Sequence, residues 1–165
     1  MSPSITFTAI GAIRTPYTES TGVPIQSGTA DAVEGTVEVF PEFAEGLQGL
    51  ADFERIWLLF HLDRTRAAQL ITRPYLDPEN SHGIFATRAP ARPNAIGLSP
   101  VRLLGIAGNR LRVAGVDMLD GTPLLDIKPY VPEFDAFAAE RIGWYRGRTS
   151  RGVTADARFE AARSK

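Results

Sequence analysis

Arg88 and Arg92 stand on either side of Pro90 in the run Gly83-Ile-Phe-Ala-Thr-Arg-Ala-Pro-Ala-Arg-Pro-Asn-Ala-Ile-Gly-Leu98. Proline fixes φ, removes a donor and pushes the residue before it out of the α region. Ala89-Pro90 and Arg92-Pro93 therefore predict a stiff, extended loop that presents two guanidinium groups from a pre-shaped backbone. A guanidinium grips a carboxylate or phosphate through two parallel hydrogen bonds, so the chemistry on offer is anion recognition. A surface loop whose arginines pair with nearby Asp or Glu has the same composition. Asp117 and Asp120 add carboxylates, in a turn before Gly121, that can accept from a ribose hydroxyl or an amine. Gly28, in the polar loop Ser20 to Thr29, lets bare backbone approach a ligand. Asp126-Ile127-Lys128-Pro129-Tyr130 places a carboxylate, an amine and a ring around a proline, a set that can bond a nucleobase amino group and stack on its ring. An internal Asp126–Lys128 ion pair is the plainer reading of the same residues. His61, near the end of an apolar run, reads first as a core histidine bonded to a carbonyl.

Several chemistries find no support. The chain has no nucleophile elbow, no phosphate loop ending in Gly-Lys-Ser/Thr, no HExxH pair and no Gly-x-Gly-x-x-Gly. With no cysteine and only His61 and His82, neither disulfides nor a thiolate or multi-histidine metal site is expected, and a reducing cytoplasm fits. No apolar run is long enough to span a membrane and no secretory leader is evident, so a membrane partner is not expected. A net charge of −1 argues against coating nucleic acid through bulk charge. The charge is uneven, however: residues 1–85 carry 5 Lys/Arg against 11 Asp/Glu, and residues 86–165 carry 13 against 8. A local anionic partner is compatible with that, as is simple cancellation in the fold.

The elements that must position these groups are mostly short strands. Ile5 to Ile13, with Ile5, Phe7 and Ala9 alternating, predicts a first strand, followed by the turn Arg14-Thr15-Pro16-Tyr17. Val33, Val37 and Val39 predict a second. Pro41 to Phe53 predicts a turn and one short helix. Arg55 to Leu62 is nearly continuous apolar sequence, so it predicts a central strand covered on both faces. Leu98 to Gly105 and Leu111 to Val116 predict a hairpin, and Asp120-Gly121 a tight turn between two apolar segments. Asp135 to Arg141 and Thr154 to Arg163 predict helices, the second capped by Thr154. Many short strands with Gly/Pro turns point to one mainly β domain of 165 residues, an antiparallel β-barrel with short peripheral helices.

Taken in order, Arg14-Thr-Pro-Tyr17, Gly49-Leu-Ala-Asp-Phe53 leading into Ile56-Trp57, the Gly83–Ser99 run and Asp120-Gly-Thr-Pro-Leu-Leu-Asp-Ile-Lys-Pro-Tyr130 closely resemble the TsaA-like, or TrmO, family. The resemblance spans roughly residues 5 to 135. It implies a β-barrel methyltransferase that uses S-adenosylmethionine, works as a homodimer and methylates N6 of threonylcarbamoyladenosine at adenosine 37 of tRNA. By motif it implies a cofactor site of Gln26, Ser27, Gly28, His61, Leu62, Arg88 and the turn Asp117, Met118, Leu119, Asp120 and Gly121. Arg92, with Asn94 and Arg14, is implied on the substrate side, and Asp126, Lys128 and Tyr130 beside the adenine. Ala95 and Ser27 replace prolines usual in the family. The larger bacterial relatives carry a further C-terminal domain, whereas here 35 residues follow Tyr130. The expected division is a barrel over 1–140 and a basic extension over 141–165, with Arg141, Arg146, Arg148 and Arg151 helping to hold tRNA. Methylation of another small-molecule or RNA acceptor, or binding of S-adenosylmethionine without turnover, are the alternatives.

Overall fold

In a computed structural model of the chain, residues 3–27, 33–148 and 153–156 are described. Strands β1 (Gly11–Arg14), β2 (Glu34–Val39), β3 (Arg55–His61), β6 (Ile96–Ala107), β7 (Arg110–Ala114) and β8 (Thr122–Pro129) close into a barrel of order β1-β2-β7-β6-β3-β8. Every neighbouring pair is antiparallel. Strands β4 (Ile71–Thr72) and β5 (His82–Gly83) form a separate small ribbon. Closure pairs each barrel strand with a neighbour on both sides over part of its length.

Period-two burial explains how this sequence fills the barrel. Ile13, Val37, Ile56, Leu58, Val101, Leu111, Val113 and Leu124 are fully buried and meet in one core. Each such side chain contributes on the order of 1.5–3 kcal/mol by leaving water. The β6–β7 hairpin turns at Gly108-Asn109, and Gly108 takes φ 60°, where a side chain would strain.

Five expectations change. The strand begins at Gly11, not Ile5: β1 pairs with β8 only over Gly11–Ile13, and the alternating Ile5 and Phe7 ahead of it are exposed. β3 is covered on one face, with Ile56, Leu58 and Phe60 buried and Trp57 and Leu59 half-buried on the other. Where a helix was expected over Asp135 to Arg141, there is one turn, Pro132–Asp135. Phe134 and Phe137 are exposed, so the segment has no apolar contact to hold a longer helix. Pro41 to Phe53 forms two short 3-10 segments. Thr154 bridges to Pro24 instead of capping a helix, and 157–165 lie outside the described residues.

Candidate functional site

The C-terminal end of β3 lies beside the N-terminal ends of β6 and β8, through the pairs His61↔Ile96 and Phe60↔Leu124. Over this end of the barrel opens a cavity of about 380 Å³. Phe60, Leu62, Gly97, Leu98 and Ser99 form its floor, Asp117, Met118 and Leu119 one wall, and two loops, through Gln26 and Arg88, its cover. Gly97 is required where it stands: a Cβ there would lie 2.1 Å from the Phe60 ring.

The two loops and the wall are tied to one another by polar contacts. Arg88 Nη1 donates to Gln26 Oε1 at 2.7 Å, joining the proline-rich loop to the Ser20 loop. Ser99 Oγ donates to Asp117 Oδ1 at 2.6 Å, and the backbone N–H of Ser27 also donates to that carboxylate. Loss of hydration nevertheless dominates, and the Asp117 carboxyl is raised from 3.8 to about 6, opposed by these hydrogen bonds and by the Arg88 charge. Burial, with the nearby Asp117 charge, also raises the Tyr17 hydroxyl. An acceptor half-stripped of water, facing an apolar cavity that a guanidinium also enters, suits a ligand with hydroxyl or ammonium donors at one end and a carboxylate at the other.

Of the residues that the sequence singles out, Gln26, Leu62, Arg88, Asp117, Met118, Leu119 and Arg92 line this cavity. Ser27 is buried behind it, and Gly28 lies outside the described residues. Arg92 does not present a free fork: its Nη1 is within bonding distance of the carbonyls of Thr87 (2.9 Å), Ala89 (3.2 Å) and Ile84 (3.4 Å), bracing the loop that carries Arg88. Asp120 and Gly121 brace from behind. Asp120 Oδ1 accepts from the Thr15 N–H at 3.1 Å, and the Gly121 N–H donates to Ile13 at 2.8 Å. Arg14 pairs with Glu38 and Asp120 on the barrel exterior. His61 and Asn94 are exposed and line no part of the cavity.

Asp126, Lys128 and Tyr130 are not brought to the cavity. Asp126 and Lys128 sit opposite Leu59 and Trp57 on the barrel's outer face and pair with each other at 2.9 Å. The Tyr130 ring rests on Trp57, with centroids 5.6 Å apart, at the far end of β3. Conversely, Asp63, Arg64, Tyr75 and Ser99, which are not among the residues singled out above, also line the cavity. The run Asp63-Arg64-Thr65-Arg66, directly after the central strand, was the signal for the first two. Tyr75 and Ser99 had none.

Residues 12–136 match the family described as the tRNA-methyltransferase O N-terminal domain. The chain is similar to a probable S-adenosyl-L-methionine-binding protein of Pyrococcus abyssi, with 56% identity over 85% of this chain and 76% of that one. It is similar to the tRNA (adenine(37)-N6)-methyltransferase of Escherichia coli, with 36% identity over 78% of this chain and 59% of that one. The crystal structure of TrmO from Pseudomonas aeruginosa superposes with a TM-score of 0.72 and 42% identity, covering 86% of this chain and 63% of that one. The chain thus spans about three-fifths of the length of some of the relatives it matches. A closed antiparallel barrel, its end roofed by the Arg88 loop, and an ordered match over most of its length place this chain in the TrmO family, in the part that corresponds to the N-terminal domain.

Proposed function

We propose that the protein transfers a methyl group from S-adenosylmethionine to N6 of an adenosine in tRNA, with threonylcarbamoyladenosine at position 37 as the acceptor. The observation that carries this reading is the convergence of Gln26, Arg88 and Asp117 on one cavity, in a chain related to a named tRNA adenine(37)-N6-methyltransferase. The residues fit the donor. Arg88 would hold the methionine carboxylate, Asp117 would accept from ribose hydroxyls or the amine, and Leu62, Met118 and Leu119 would cover the adenine, all of them lining the one cavity.

S-adenosylmethionine supplies the methyl already activated on a sulfonium, so the protein's task is to position, desolvate and exclude competing water. Apolar walls dry the cavity, while the Arg92 brace holds the Arg88 loop at fixed height over the floor. As the N6–C bond formed, the donor's S–CH3 bond would break to leave a neutral thioether, and the N6 proton would pass to solvent or to Asp63, an exposed carboxylate that lines the cavity. Asp126, which is on the outer face, does not reach this proton within its own chain. The same reading makes the protein a cytoplasmic homodimer. Leu70, Ile71 and Phe85, exposed at 66%, 62% and 77%, supply an apolar surface of the kind that association covers.

The test is methyl transfer itself. The chain is incubated with tRNA carrying threonylcarbamoyladenosine and labelled donor, and the nucleosides are resolved by mass spectrometry. The N6-methylated nucleoside appears with the natural chain and falls by at least about 100-fold in rate with Arg88→Ala, as expected on losing a charge-assisted bond to the donor together with its orienting role. Label in another RNA or a small molecule, with none in this tRNA, favours the second reading, a methyltransferase of a different acceptor. The share of the tRNA methyltransferase that this chain spans, 59%, leaves room for that reading.

A further inference from the structure

A second hollow, of about 370 Å³, opens beside the first and shares Gln26, Arg64, Tyr75 and Arg88 with it. Its lining holds four arginines, Arg64, Arg66, Arg73 and Arg88, and no carboxylate. Among the described residues Arg66, Arg73 and Arg88 form no ion pair; Arg73 reaches only Ser81, at 3.5 Å, and Arg88 bonds to neutral Gln26. Arg64 is paired with Asp63 and Arg88 lies near the Asp117 charge, which leaves Arg66 and Arg73 as exposed cations without an ion-pair partner among the described residues, poised for an anion.

The opposite side is aromatic. Trp144 stacks with His82 at 4.8 Å and with Tyr145 at 3.9 Å between centroids, and its Nε1 donates to the Ala86 carbonyl at 2.8 Å. Arg148 clasps this segment in place, donating to the buried Asp77 carboxylate and to the Leu76 carbonyl, each at 2.9 Å. Trp144, Tyr145 and Arg148 lie beyond the 12–136 stretch that matches the family.

We propose that this hollow seats an unpaired nucleotide of the RNA that flanks the base being methylated. Its base lies against Tyr75 and Tyr145, and its phosphates lie on Arg66 and Arg73. The proposal rests on the reading of tRNA as the acceptor. A base that enters the first cavity must leave its stack, and its neighbours splay out with it. Unpaired nucleotides are held by a basic groove and by stacking on aromatic rings, the two features that the hollow combines, and its volume falls within the ~300–1,000 Å³ of small-ligand sites.

A fluorescent anticodon stem-loop RNA carrying the modified adenosine is titrated with the full chain and with Arg66→Gln, Arg73→Gln, Tyr145→Ala and Tyr145→Phe, and calorimetry measures S-adenosylmethionine binding by each. Arg66 and Arg73 are exposed, so their replacement leaves the fold alone. Each arginine variant is expected to bind the RNA about 3- to 10-fold more weakly and to flatten the slope of log K against log salt by about 0.7, one phosphate contact. Tyr145→Ala is expected to lose about 5- to 100-fold, with Tyr145→Phe close to the natural chain, because the ring and not the hydroxyl stacks. Cofactor affinity stays constant throughout. RNA affinity and salt slope unchanged in every variant, while the natural chain binds the RNA, would overturn this seat and leave the methyltransferase reading standing. A natural chain that binds the cofactor and no RNA would overturn both.

Discussion

Asp117 is the residue on which most depends, because it sits at the cavity with its carboxyl raised to about 6. In the unfolded chain it titrates near 3.8. The folded protein therefore holds a proton between those values that the unfolded chain has released, and stability is full below about pH 4, falls as pH rises to about 6 and stays reduced above. From that difference, Asp117→Asn is expected to stabilise the ligand-free protein at pH 7.5 by up to about 3 kcal/mol, with little gain at pH 4. Denaturant titrations at the two pH values check this. The same substitution is expected to weaken S-adenosylmethionine binding, and in the natural chain affinity should rise from pH 5 to pH 7 as the carboxylate forms, with proton uptake or release read by calorimetry in buffers of different ionisation heat. At this scale the sequence was partly legible. Arg88 stood out because two prolines framed its loop, but Arg92, from the same motif, bonds three carbonyls of its own loop, a use that residue type and spacing do not reveal.

Elements are positioned by close contacts that tolerate little change. Gly97 faces the Phe60 ring across the β3–β6 ladder, so an added Cβ would push the buried ring out of its place towards the cavity it floors. Gly97→Ala is expected to cost about 1–3 kcal/mol, seen as a lowered Tm, and to weaken cofactor binding because the same ring floors the cavity. The Asp77 carboxyl, held low first by its bond from Asn80 and then by that from His82, anchors two segments at once, since Arg148 also binds it. Asp77→Ala should therefore loosen residues 143–148 without opening the barrel, seen as faster amide exchange confined to that segment and the Pro74–His82 loop. β2 was readable because the alternation of Val33, Val37 and Val39 with polar residues reflects an inner and an outer face, and β3 as an apolar run of strand length, although its continuity hid that only one face is fully covered. Ile5 to Ala9 carried the same alternation and formed no strand: Ile5 and Phe7 are exposed, so the apolar side of the alternation has no surface to bury against. The one-turn Pro132–Asp135 helix shows the matching failure: helical composition without a surface to pack on.

For the molecule as a whole, a barrel packed with aliphatic side chains leaves chemistry to its end and to the loops above it. The barrel class was legible from short, evenly spaced strands; the assembly of its site was not, since Gln26 and Arg88 are 62 residues apart in sequence and meet only through closure. Asp126, Lys128 and Tyr130 looked like one chemical unit for the opposite reason, because adjacency in sequence puts Asp126 and Lys128 on the same outer face of a strand. The exposed apolar surface at Leu70, Ile71 and Phe85 predicts association: light scattering should give about twice the 18.0 kDa of one chain, and Phe85→Glu should return it to one. The central claim, that the Ser20 loop, the Arg88 loop and the Asp117 wall together hold S-adenosylmethionine, is tested most directly by calorimetric titration of that molecule into the natural chain and into Gln26→Ala, Arg88→Ala and Asp117→Asn, with Arg110→Ala on the outer barrel as control. The account predicts binding by the natural chain and the control and weakening of about 10-fold or more in each of the other three. Undiminished binding in all three, or no binding by the natural chain, would contradict it.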